Sequence, residues 1–170
     1  MPNQPSSLTR PGTLALALQF ALSHGESLRY CLAAFLDEFY ADSDSMSRRA
    51  RIEDAPTLLG DEKQDAFIGA IAEHLCHRWN LGDPPGWTND PARFLRQPWF
   101  VGPERMKAFL LVESPSAFRR RFIFTEAEPL RRARMPKDGR WWAYETMRTG
   151  RLPDPDEIEP TQSARSATPS

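Results

Sequence analysis

Two histidines and a cysteine lie within four residues of one another, at His74, Cys76 and His77. These side chains commonly hold zinc and cooperate in nucleophilic catalysis. His74 and His77, three residues apart, could supply two zinc ligands from one helix, but the remaining candidates are only His24 and Cys31. Adjacent helical residues point about 100° apart, so Cys76 does not face His77. We therefore expect a surface histidine pair, with neither a metal site nor an activated thiol.

No other grouping in the chain matches a common catalytic framework. There is no glycine-rich phosphate loop, no paired metal-binding acidic motif and no Ser-His-Asp arrangement. We expect a non-catalytic protein without a cofactor. If an enzyme site is nevertheless present, Cys76 with His77, or Asp37 with Glu38, are its first candidates.

The most distinctive segment combines arginines with aromatic residues. Arg119, Arg120 and Arg121 stand between Phe118 and Phe122. A second basic run, Arg131-Arg132-Ala133-Arg134, follows it. Because the planar guanidinium binds carboxylates and phosphates through paired hydrogen bonds, we expect Arg119 to Arg121, Arg131 and Arg132 to bind a protein partner. Alternatively, segment 117–134 binds nucleic acid, with its rings stacked on bases.

Charge is distributed unevenly although the formal net charge is only −1. Residues 26–65 carry ten acidic against five basic side chains, and residues 117–151 carry ten basic against four acidic ones. One interpretation is that the two segments pair with each other inside the fold. The other is that the basic segment stays free for a partner.

A third candidate contact segment is aromatic. Trp141, Trp142 and Tyr144 lie beyond the predicted core and close to Arg140 and Arg148. Aromatic residues are enriched at interface hot spots, as they are in small cores. We expect these three side chains to act as apolar anchors for a protein partner.

Helical spacing of apolar residues indicates what positions these side chains. Helices are predicted near 14–22, 26–40 and 65–79, and a short one over 130–134, opened by a capping box at Thr125 and Glu128. Three more are predicted to begin at prolines, near 91–97, 103–113 and 115–122.

The sequence therefore predicts an all-α fold, a single compact bundle of about six to eight helices. We assign residues 1–10 to a flexible N-terminus, 11–149 to the helical domain and 150–170 to a disordered tail rich in Pro, Asp, Glu, Ser and Thr. The apolar stretch from Leu14 to Leu22 is too short to cross a bilayer and resembles no signal peptide. We expect a cytoplasmic protein that does not enter the membrane.

Three stretches of this domain resemble a known group of proteins. They are Trp87 to Phe100, Leu111 to Arg121 and Ile123-Phe124. The group consists of small, uncharacterised helical bacterial proteins, some of which look like partners of toxins, nucleotidyltransferase-type or other, in toxin–antitoxin modules. The resemblance covers roughly residues 14–136; Phe122 departs from it and 137–170 has no counterpart there. It implies a protein partner and supplies no catalytic residues to carry over, so we expect an antitoxin or accessory partner of a toxin encoded by an adjacent gene.

Overall fold

Helices dominate the structure, a computed structural model that describes residues 12–160. Within that range the α-helices number seven, which confirms the predicted mainly helical architecture. They are α1 (Leu14–His24), α2 (Leu28–Ala41), α3 (Ser45–Ala50), α4 (Glu62–Trp79), α5 (Lys107–Glu113), α6 (Ser116–Arg119) and α7 (Gly139–Thr149). Two strands, β1 (Trp99–Phe100) and β2 (Ile123–Phe124), complete the elements that position the site. The predicted flexible segment 1–10 lies outside the described residues.

Helices α1 and α2 form an antiparallel pair whose ends follow simple capping rules. The hydroxyl of Thr13 accepts a hydrogen bond from the Leu16 backbone N–H at 3.2 Å, which starts α1. Gly25 ends the helix in the left-handed conformation, with φ of 64°, which glycine adopts without a steric penalty. The buried side of α2 presents Phe35 and Phe39 to the core, as the predicted amphipathic face requires.

Helix α4 runs through the centre of the molecule. Thirteen of its eighteen residues are buried, which is more than one apolar stripe would need. Its buried set includes polar and charged side chains, among them Glu73, His74 and Arg78. Since a buried charge requires a partner, the elements around α4 must supply opposite charges. The candidate sites of this protein are built on that requirement.

Two of the three proline-started segments contain shorter helices than the sequence predicts. Asp90 does cap the first, because its carboxylate accepts from the Ala92 N–H at 2.9 Å, but the 3₁₀ turn covers only Pro91–Arg93. Before α6, Pro115 occupies the cap position. The hydroxyl of Ser114, the residue before it, accepts from the Thr125 N–H at 2.7 Å. After Pro103, by contrast, a 3₁₀ turn at Glu104–Met106 continues directly into α5, close to the predicted 103–113.

The two short strands pair in parallel, Trp99 beside Ile123 and Phe100 beside Phe124. The Trp99 N–H donates to the Phe122 carbonyl at 2.7 Å. This bridge fixes the position of the arginine triplet, which lies just before β2, relative to the loop that precedes β1.

The predicted helix over 130–134 is wrong. Residues 125–138 contain no helix, and Glu128 does not cap one, because its carboxylate accepts from Arg78 at 2.9 Å. Pro129 gives a local reason as well, since a residue that precedes proline is disfavoured in the helical region. The extended path brings Arg131 and Arg132 back towards α2.

Residues 150–160, assigned from composition to the disordered tail, contact α7. A 3₁₀ turn forms at Pro155–Glu157, and the Glu157 carbonyl accepts from the Trp142 indole N–H at 3.2 Å. Arg151 pairs with Glu157 at 2.6 Å. Asp154 followed by Pro155 is the same helix-starting pair as Asp90-Pro91, and this local signal competes with the polar composition. Residues 161–170 lie outside the described part of the chain.

Candidate protein-binding groove

The arginine triplet is divided between the core and the surface. Arg121 is completely buried, with an exposed fraction of 0%, and its guanidinium donates to the Glu73 carboxylate at 2.6 Å and to the Thr88 carbonyl at 2.7 Å. Burial lowers the pKa of Arg121, an effect that Glu73 offsets in part. Arg121 is therefore a structural residue that joins α4 to the end of α6.

A glycine in the middle of α4 makes room for this arginine. A Cβ atom at Gly69 would lie 3.1 Å from Nε of Arg121 and 3.0 Å from Cβ of Arg93. Glycine in a helix interior costs about 0.5–1 kcal/mol relative to alanine, so its presence indicates a close approach of other groups. Gly69 is the sequence signal that could identify Arg121 as buried.

Arg119 and Arg120 keep more exposure. The Arg120 side chain is 45% exposed and reaches both Glu73, at 3.3 Å, and the side-chain oxygen of Asn89, at 2.7 Å. Arg119 is exposed and donates to the Val112 and Ser114 carbonyls at the end of α5. Consecutive residues thus diverge, and the triplet does not form one cationic patch.

The second basic run lies beside α2. Arg132 forms a two-pronged ion pair with Asp37, with distances of 2.9 and 2.6 Å. This pair directly joins the acidic and the basic segments of the sequence. Arg131 pairs with Glu145 at 2.6 Å, and its guanidinium lies over the rings of Trp141 and Tyr144, 5.2 and 4.9 Å from their centroids.

The aromatic segment forms α7, and its three predicted anchors differ in exposure. Trp142 and Tyr144 are buried, whereas Trp141 is half-buried. The Tyr144 hydroxyl donates to the Glu126 carboxylate, and burial together with that carboxylate raises the pKa of Tyr144 to about 12. Trp141 is therefore the member of this set that keeps surface for a partner.

A groove opens between α2 and residues 129–132. Its volume is about 790 Å³. The apolar residues that line it include Leu28, Leu32, Leu36, Phe67, Ile71, Val101 and Leu130. Arg29, Arg131 and Arg132 also line it, and no acidic side chain of the described residues does. We call this feature the arginine-rimmed groove.

The groove continues along α2 into a second depression of about 390 Å³. The two share Ser27, Arg29, Ala33 and Arg132. The second adds Ala34, Tyr30, which is 64% exposed, and Asp37, the ion-pair partner of Arg132. Arg29 is exposed and makes no side-chain hydrogen bond or ion pair within residues 12–160. It is consequently a cation available to a ligand, whereas the charges of Arg131 and Arg132 are already partly balanced.

The histidine pair lies on α4 as the spacing predicts, but one member is buried. His77 is exposed, whereas His74 is 7% exposed and packs edge-on against Phe118, with ring centroids 5.6 Å apart. Burial, with the neighbouring basic residues Arg78, His77 and Arg140, lowers the pKa of His74 to about 3. His74 is thus neutral at physiological pH. Among residues 12–160, no three potential ligands converge on a metal position.

Both cysteines are buried and form no disulfide. Burial raises the pKa of Cys76 to about 11, although Arg49 opposes the shift, and burial also raises the pKa of Cys31. Because the thiolate is the reactive form, we expect thiol reagents to modify the native protein at pH 8 roughly 100-fold more slowly than the unfolded chain. Absorbance of released thionitrobenzoate measures both rates. Fast modification of native Cys76 would instead support the hypothesis that Cys76 is a catalytic nucleophile.

Comparison of the chain with models of protein families, with curated proteins and with solved structures found no match in any of the three. The resemblance to toxin partners therefore stays a prediction. None of the helices in residues 12–160 is both long and apolar enough to traverse a lipid bilayer.

Proposed function

We propose that this protein is a non-catalytic domain that binds a protein partner in the arginine-rimmed groove. The observation that carries the proposal is the combination of an apolar floor with three arginines and no acidic lining residue in the described structure. An apolar surface bordered by one sign of charge favours an amphipathic segment of the opposite sign.

The spacing of the floor favours a helix as the bound segment. Leu28, Leu32 and Leu36 follow one another at intervals of four along α2, a strip about 12 Å long at 1.5 Å per residue. Two turns of a partner helix have a similar length. We infer that apolar side chains of that helix contact the strip and that its acidic side chains pair with Arg29, Arg131 and Arg132.

Exposed apolar residues elsewhere support a protein as the occupant. Helix α5 buries Leu110, but Phe109, Leu111 and Val112 are 37%, 47% and 73% exposed. Val101, which lines the groove, is 39% exposed. It is followed by Gly102, where a Cβ atom would lie only 3.2 Å from Leu110, so α5 packs close to this end of the groove. Apolar surface near a groove is typical of protein interaction sites.

We further propose that the partner is a toxin encoded by an adjacent gene and that binding neutralises it. The resemblance of segments 87–100, 111–121 and 123–124 to proteins associated with toxin–antitoxin modules supports this finer identification. We place the interaction in the cytoplasm. The two free, buried cysteines are compatible with a reducing compartment.

The test is co-expression with the adjacent gene, followed by affinity measurement on the purified pair. Arg29→Glu reverses an exposed, unpaired charge in the groove, and Arg134→Glu reverses an exposed, unpaired charge outside the groove lining. We expect Arg29→Glu to weaken the complex at least about tenfold and Arg134→Glu to leave it within about twofold.

Three results would contradict the proposal. The first is failure of the adjacent gene product to co-purify, and the second is an affinity that Arg29→Glu leaves unchanged. The third is weakening by Arg134→Glu as large as that by Arg29→Glu, because Arg134 lies outside the groove lining. Retention of the protein on a nucleic-acid column that falls steeply with salt would instead support nucleic-acid binding by segment 117–134.

A further inference from the structure

A second cavity lies between α4, α7 and the turn that joins α5 to α6. Its volume is about 550 Å³. This lies within the range of about 300–1,000 Å³ that is usual for small-molecule sites. We call it the His74 cleft.

Charges of both signs line this cleft. Arg140 comes from α7 and Glu113 from the end of α5. Neither side chain makes a hydrogen bond or an ion pair within the described residues. Arg78 and Glu128 also line the cleft, but they pair with each other at 2.9 Å. Arg140 and Glu113 are therefore the two charged residues of the lining without a direct ion-pair partner, although Arg140 also lies near the carboxylates of Glu128 and Asp138.

A buried imidazole adds a polar group without a partner. His74 is 7% exposed and lines the cleft, and neither of its ring nitrogens forms a hydrogen bond within residues 12–160. Neither nitrogen is among the buried polar atoms that are closed off from solvent, so both can hydrogen-bond water or a ligand in the cleft. Arg78 and Arg140 are permanent cations near His74. Because Arg78 already pairs with Glu128 and Asp138, Arg140 is the one that makes this end of the cleft suited to an anionic group.

We propose that the His74 cleft binds a small zwitterion of the free amino-acid type. The carboxylate pairs with Arg140 and accepts a hydrogen bond from the neutral His74, and the ammonium group pairs with Glu113. Ala127, Ala143 and Met147 supply an apolar wall, which selects an apolar side chain.

Opposite charges on two separate elements favour a zwitterion over a simple anion or cation. A simple anion would pair with Arg140 but leave Glu113 without a partner, and a simple amine would do the reverse. Formal charge within the lining also balances, because Arg78 and Arg140 equal Glu113 and Glu128. The cleft as a whole therefore favours neither a ligand with a net positive charge nor one with a net negative charge.

The experiment is calorimetric titration of the full chain with L-leucine, L-methionine and L-phenylalanine. Each is compared with its N-acetyl derivative, which lacks the ammonium charge, and its methyl ester, which lacks the carboxylate. We expect at least one free amino acid to bind and both of its derivatives to bind at least about tenfold more weakly.

Variants then assign the two charges. Arg140→Gln should weaken binding of the amino acid about tenfold but hardly change binding of the ester, which lacks the carboxylate. Glu113→Gln should weaken binding of the amino acid about tenfold but hardly change binding of the N-acetyl derivative, which lacks the ammonium charge. Arg134→Gln, an exposed residue outside the cleft, is the control. Circular dichroism of each variant checks that the fold is retained.

The proposal is overturned if none of the three amino acids binds at millimolar concentration. It is equally overturned if an N-acetyl derivative binds as tightly as its parent, since the ammonium would then be irrelevant, or if Arg140→Gln and Arg134→Gln behave alike. These outcomes are independent of the groove, because no residue of the His74 cleft lines it.

Discussion

Replacing Glu73 with alanine should lower the free energy of unfolding by about 3–5 kcal/mol. The carboxylate is 2% exposed and is the acidic partner of the fully buried Arg121, 2.6 Å away. Removing it leaves a guanidinium in the core without a counter-charge, and the cost of the unpaired charge dominates the loss. Urea denaturation followed by circular dichroism measures the change.

Arg120→Ala is the matched control for this substitution. Arg120 pairs with the same carboxylate but is 45% exposed, so water screens the interaction. We expect a loss of less than about 1 kcal/mol. Equal destabilisation by Glu73→Ala and Arg120→Ala would contradict the assignment of Arg121 as the principal partner.

The second large effect is expected at Asp138. Both of its carboxylate oxygens accept from Arg78 at 2.7 Å, and one also accepts from the Trp141 N–H at 3.0 Å, which caps α7. Asp138→Ala breaks the buried pair and the cap together, so we expect a loss on the order of 4 kcal/mol at pH 7. Thermal unfolding monitored in the far ultraviolet is a suitable measurement.

The pH dependence of this difference has a definite sign. Burial opposes ionisation of Asp138, but the hydrogen bonds from Arg78 and Trp141 outweigh it and the pKa lies below its usual value. A carboxylate with a lowered folded-state pKa stabilises the protein above its unfolded-state pKa of about 3.9 and loses that contribution as the pH falls. The difference in the free energy of unfolding between the wild type and Asp138→Ala should therefore become smaller below about pH 4.

Glu128 provides a contrast on the same arginine. Burial raises its pKa, with Arg78 offsetting only part of the effect, and its second carboxylate oxygen has no hydrogen-bond partner in the described structure. Since the charged form is the costly one, Glu128→Gln should stay within about 1 kcal/mol of the wild type at pH 7. A loss as large as that of Asp138→Ala would show that the two carboxylates act alike.

The body of the fold is predictable because its helices carry regular apolar spacing. Leu28 to Phe39 follows the helical period, and α2 is observed over Leu28–Ala41. The prediction of a helix over 130–134 is wrong because it gives the capping box at Thr125 and Glu128 more weight than Pro129, which directly follows Glu128. A local signal of helix initiation cannot hold when the same carboxylate is needed by Arg78 fifty residues away.

The candidate sites are less accessible to sequence reasoning. The basic pattern of the sequence singles out Arg131 and Arg132, and both line the same groove in the structure. The sequence pattern misses Arg29, because a single exposed arginine on a helix has no distinguishing neighbours. The pattern also treats Arg121 as a binding residue, because an arginine triplet does not reveal which member turns inward. The contacts of α4 with the rest of the fold determine that Arg121 is the buried member. Gly69 is the local sequence feature that reflects those contacts.

The long-range ion pairs of α4 also bear on how the chain matures during synthesis. The partner of Glu73, Arg121, lies 48 residues later in the chain, and the partner of Arg78, Asp138, lies 60 residues later. At translation rates of about 5–20 residues per second, the charged residues of α4 are synthesised roughly 2–12 s before their partners. Because an unpaired charge is costly to bury, we expect these side chains to stay hydrated until the carboxyl-terminal half has been made, and α4 to pack fully only then.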